Sequence, residues 1–120
     1  MDKGLMTMGA VLTSLGAFLG LLLMGLEMGR KSFPRALGFM HPTLAMAGLL
    51  MLVSRFFITG GAHWLDIGLI LLVLAAVFGM VLLVRGFGGR AMVRSVTVIH
   101  GGLGLVGLGF VLYEIVHRAS

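Results

Sequence analysis

Four stretches of this chain contain no Asp, Glu, Lys or Arg: residues 4–26, 36–54, 67–84 and 95–113. Each comes close to the ~20 residues that carry a helix across ~30 Å of hydrocarbon. In lipid a backbone must satisfy its N–H and C=O groups internally, and a helix does this within one segment. Of the 120 residues 59% are hydrophobic and 11% charged, too few charges to cover a soluble domain of this size. The reading is an all-α integral membrane four-helix bundle, a single transmembrane domain over 1–120. Its helices are expected over about 4–27, 35–58, 65–85 and 91–117.

Lys3 precedes the first apolar run, as in a signal peptide, but the run is too long and no A-x-A-like site closes it. It is read as the first helix. The chain has no cysteine, which removes thiol chemistry, c-type haem attachment and cysteine-ligated clusters. The net charge of +5 is not read as a nucleic-acid footprint, because the basic residues gather at helix ends. Arg30, Lys31 and Arg35 lie in the first loop, and Arg85, Arg90 and Arg94 around the third. The other side has Lys3, Arg55 and Arg118, diluted by Asp2, Asp66 and Glu114. The positive-inside rule then puts both basic loops in the cytoplasm and both termini outside, in a membrane such as the bacterial inner membrane.

"HPTLAMAGL" begins at residue 41 and "HGGLGLVGL" at residue 100, an offset of 59. At that offset Gly9 falls on Gly68, Gly20 on Gly79, Gly29 on Gly88, Arg35 on Arg94, His41 on His100 and Gly48 on Gly107. Leucine and glycine matches are cheap in this composition, but arginine and histidine are scarce. The expectation is two duplicated helical hairpins, units of about 1–60 and 61–120, related by an axis along the membrane normal.

Such symmetry has a chemical consequence. His41 and His100 each follow an arginine by six residues, so both sit ~9 Å of helix rise below the basic surface. Beneath them on the same faces are Ala45 and Gly48 on one helix, Gly104 and Gly107 on the other. Two imidazoles at one depth, lined by small residues, suit something flat and bulky held between them. A haem iron accepts two axial nitrogens, and bundle cores hold such cofactors between facing helices. Gly20 and Gly79, on the antiparallel helices, reach nearly the same depth and add room. Arg35 and Arg94 are placed to extend to haem propionates.

On these residues the chain resembles the four-helix haem bundle of b-type membrane cytochromes, in which alternate helices supply histidine pairs and glycines make space for the rings. The resemblance implies one haem b with bis-histidine ligation and electron transfer rather than catalysis. Respiratory members carry a second histidine about four turns further along each ligand helix. Here those places hold Arg55 and Glu114, fourteen residues after each histidine, which speaks against a second haem. These two are read either as an ion pair across the symmetry axis or as side chains that snorkel outward. A quinol or a redox protein at the cytoplasmic side is the expected electron partner, and homo-oligomerisation stays open.

Plainer readings compete. A membrane histidine is often only hydrogen-bonded to a neighbouring helix, and Pro42 beside His41 either kinks the helix or is simply tolerated. Gly9, Thr13, Gly16 and Gly20 form a small-residue stripe that packs helices without any cofactor. The ten methionines raise copper but form no Met-x-x-Met cluster beside histidine, and are read as core filler. His63 and His117 are read as exposed interfacial residues, and Trp64 and Tyr113 as interfacial anchors. The competing function is a cofactor-free accessory subunit of a larger membrane complex. A small multidrug transporter ranks below it, since the only nearby carboxylate, Glu27, lies at a helix end. Bacteriochlorophyll binding ranks low too, because Leu37 and Val96, not small residues, stand four before the histidines.

Overall fold

The structure, a computed structural model, describes residues 2–32, 34–90 and 93–119. These form four helices: α1 (Asp2–Met28), α2 (Arg35–Thr59), α3 (His63–Phe87) and α4 (Arg94–Ala119). All four are long and apolar enough to cross a membrane, with mean hydropathies between 1.7 and 3.1. At ~1.5 Å per residue a 25-residue helix rises ~37 Å, in keeping with a bundle 43 Å long and 23 × 22 Å across.

The helices run past the charge-free stretches. α1 begins at Asp2, and α3 begins at His63 and continues to Phe87. The Ala62 N–H at the head of α3 donates to Asp66 Oδ1 at 3.1 Å. That carboxylate also faces the positive end of the helix dipole. α4 starts at Arg94 rather than at 91; residues 91 and 92 lie outside the described residues. α2 passes through Pro42 without interruption.

Small residues set the packing. Along α1 the stripe steps down α2 in antiparallel register: Gly9 faces Leu52 and Gly48, Gly16 faces Ala45, and Gly20 faces His41. A Cβ on Gly48 would collide with Thr13 Oγ1 and with the Gly9 carbonyl. Only glycine lets the two backbones come this close. The second hairpin repeats the arrangement at offset 59, with Gly68 against Val111 and Gly107, and Gly79 against His100. The hairpins touch each other, α1 with α4 and α2 with α3, much more sparsely than helices do within a hairpin.

The two basic-end turns also match. The Lys31 N–H bonds to the Leu26 carbonyl at 2.9 Å, and the Arg90 N–H to the Arg85 carbonyl at 3.0 Å. These are Schellman-type closures that need a left-handed residue. The second turn supplies Gly89 (φ 71), whereas the first uses Arg30 (φ 56). A non-glycine residue there costs about 1–2 kcal/mol.

Burial is uneven along the bundle. Met6, Ala10, Leu49, Leu52, Leu65, Leu69, Leu72 and Val111 form one apolar core at the end away from the basic loops. Toward the basic end, α1 has no buried residue after Gly16 and α2 none before Gly48. Among the described residues α4 has none before Gly107, and α3 has only Leu82 after Ala75.

Candidate functional site

His41 and His100 project from α2 and α4 into the loosely packed half. Their ring centroids are 6.0 Å apart and the ring planes are inclined at 76°. The two helices are diagonal in the bundle and make no backbone approach of their own. The paired imidazoles reach across it.

Each ring is held in the same way. His41 Nδ1 lies 2.7 Å from the Gly16 carbonyl, and His100 Nδ1 lies 2.7 Å from the Ala75 carbonyl. Gly16 and Ala75 are themselves 59 residues apart, so the contact recurs at the offset of the histidines. A carbonyl can only accept, so Nδ1 donates in both rings. In the neutral imidazole the lone pair then rests on Nε2. A carbonyl bond at the far nitrogen is also how metal-binding histidines are oriented. Among the described residues no group of three or more His, Asp or Glu side chains gathers to hold a bare metal ion. Two imidazoles suit an iron whose other ligands arrive with it.

The glycines are used closer to home than the sequence suggests. A Cβ on Gly20 would lie 2.7 Å from His41 Cε1, and one on Gly79 would lie 2.8 Å from His100 Cε1. Both glycines therefore make room for an imidazole of their own hairpin. Ala45 and Gly48 pack on α1, and Gly107 packs on the Gly68 carbonyl and on Leu71 and Leu72 of α3. Gly104 sits near Ala75, with looser contact. These four residues bring helices together beneath the histidines. Arg35 and Arg94 are exposed at the first positions of α2 and α4.

Arg55 and Glu114 settle one of the alternatives open in the sequence: they are 1% and 8% exposed, so neither snorkels. Arg55 Nη1 donates to the Gly60 carbonyl at 3.0 Å, tying α2 to the turn that follows it. His63 and His117 are exposed and stand away from the paired rings. They belong to an aromatic group with Trp64, Phe110 and Tyr113, in which Trp64 and Phe110 stack at 5.7 Å.

The backbone acceptors Gly16 and Ala75 are part of this geometry that residue reading misses, because a carbonyl carries no residue-type signal. The one usable hint is the stripe that ends Gly16–Gly20, which puts a bare helix surface opposite His41. No family model, curated protein or solved structure matches the chain.

Proposed function

We propose that this chain is an integral membrane b-type cytochrome that binds one haem between His41 and His100 and transfers electrons within the membrane. One observation supports the reading: two imidazoles, each held through Nδ1 by an equivalent carbonyl and so left with Nε2 as the acceptor nitrogen, meet with 6.0 Å between ring centres. His41 and His100 would be the residues to hold a haem iron there, which would supply one-electron chemistry. The surrounding half of the bundle has few buried residues among those described, and the hairpins touch more sparsely than the helices within each, so a flat ring can part them without breaking either hairpin.

Held by two protein nitrogens, the haem iron supplies one-electron transfer rather than oxygen binding. The remaining work belongs to the chain. Gly16 and Ala75 hold the rings in one tautomer, Gly20 and Gly79 leave room for the Cε1 edge of each ring against α1 and α3, and Arg35 and Arg94 offer cations for carboxylates at the basic end. That end faces the cytoplasm by the positive-inside rule, in a membrane such as the bacterial inner membrane. Electrons are exchanged there with a quinol or a redox protein.

One observation favours the cofactor-free accessory subunit instead: each imidazole already has a hydrogen bond and a ring contact, so neither needs a ligand to be satisfied. Haem analysis of protein purified after expression with ample haem separates the two. The cytochrome reading expects one haem per chain and a sharp low-spin spectrum on reduction. Colourless protein overturns it.

A further inference from the structure

The two basic-end corners of the bundle differ, although the hairpins around them match. Where the end of α1 meets the start of α4, a cavity of about 150 Å³ is lined by Met24, Glu27, Met28, Arg30, Arg94 and Thr97. The corresponding corner, offset by 59 residues and with α4 replaced by α2, would hold Leu83, Gly86, Phe87, Gly89, Arg35 and Gly38. So one corner carries two guanidiniums, a carboxylate and a hydroxyl, and the other one guanidinium and three glycines. Arg30 also takes the left-handed turn position that its counterpart fills with Gly89, at a backbone cost. Strain kept at a charged residue beside a cavity is a mark of use.

We propose that this cavity binds a phosphate group, supplied by the headgroup of an anionic phospholipid. Arg30 and Arg94 line it and can supply charge-assisted donors, and the start of α4 brings a positive dipole end to the same corner. Thr97, whose hydroxyl donates to the Val93 carbonyl at 3.1 Å, lines the cavity one turn before His100. Met24 and Met28 form an apolar wall beside the cations, as a glycerophosphate with its acyl chains requires, whereas free phosphate has no use for it. Basic pockets between membrane helices take lipid headgroups in this way. Glu27 is the single negative charge in the lining and works against the ligand. The site needs no haem, but its ligand competes with the proposed haem carboxylates for Arg94.

The test is lipid binding to delipidated full-length protein in neutral detergent, followed by native mass spectrometry and by thermal unfolding, with phosphatidylglycerol, phosphatidylcholine and inorganic phosphate as probes. Phosphatidylglycerol should bind saturably and raise the unfolding midpoint. Arg30→Gly, which keeps the turn, and Arg94→Gln should each weaken binding about tenfold, the worth of one charge-assisted hydrogen bond. Lys31→Gln and Arg90→Gln, outside the cavity, should change it by less than about twofold, and Glu27→Gln should tighten it. If inorganic phosphate protects equally and with the same variant pattern, the site stands and its source is soluble. Equal weakening by all four cation variants would reduce the effect to the diffuse charge of the basic end and overturn the site. So would equal binding of phosphatidylcholine, or protection lost on haem loading, which would give the cavity to a propionate.

Discussion

The two halves of this bundle are built from the same helices and put to opposite ends. Away from the basic loops, glycines and leucines interdigitate until Leu52, Leu65 and Val111 have no exposed surface. Toward the basic loops, the same four helices bury few of the described residues, and two imidazoles meet there, each hydrogen-bonded to a backbone carbonyl. A tight half holds the hairpins together, so the loose half can keep two histidines at one level without packing around them. The comparison teaches that small residues in a membrane helix have no fixed meaning. At Gly48 the neighbour is backbone, and at Gly20 it is the tip of a ring that can move.

That difference is open to attack by substitution. The largest effect is expected from Gly48→Leu, or Gly107→Leu in the second hairpin, since the new side chain meets backbone that cannot give. The loss should reach or exceed ~3 kcal/mol, enough to deny folded protein by size-exclusion chromatography in detergent. Leu52→Ala in the same half should cost about 2–4 kcal/mol, measured by denaturant unfolding in mixed micelles; a loss below about 1 kcal/mol would mean the tight half is not a core. Gly20→Ala is the matching change in the loose half. It should leave unfolding within about 1 kcal/mol of the parent while pushing the His41 ring off the Gly16 carbonyl, seen as a loss or broadening of the low-spin spectrum. Arg30→Gly, without lipid, should stabilise the chain by about 1 kcal/mol through relief of the left-handed turn. The smallest effect belongs to Gly102→Ala, whose Cβ meets nothing within 4 Å. It should be neutral or gain a few tenths of a kcal/mol from helix propensity.

Much of this was legible in the residues. Charge-free runs of helical length announce four spans because charges are so costly in lipid, and the recurrence of scarce histidine and arginine at one offset places the two rings at one depth. The helix ends were less legible. α3 starts at His63, held by Asp66, and polar residues extend helices into the headgroup zone where hydropathy no longer marks them. Nor does the offset say which neighbour a residue faces. It equates Gly48 with Gly107, yet cannot tell that both lie against the partner helix of their own hairpin. The left-handed Arg30 was beyond reach, since only glycine advertises that conformation in a sequence. Arg55 and Glu114 were legible as a matched pair of positions, but their burial depends on how four helices converge.

The account turns on His41 and His100 acting as a pair through Nε2. Its most direct test is the reduced visible spectrum of His41→Gly and His100→Gly, recorded before and after free imidazole is added. Either substitution should abolish the low-spin spectrum, and imidazole entering the vacated space should restore it in both. A variant whose spectrum stays low-spin without imidazole would contradict paired ligation, and the two rings would then be no more than a contact between diagonal helices.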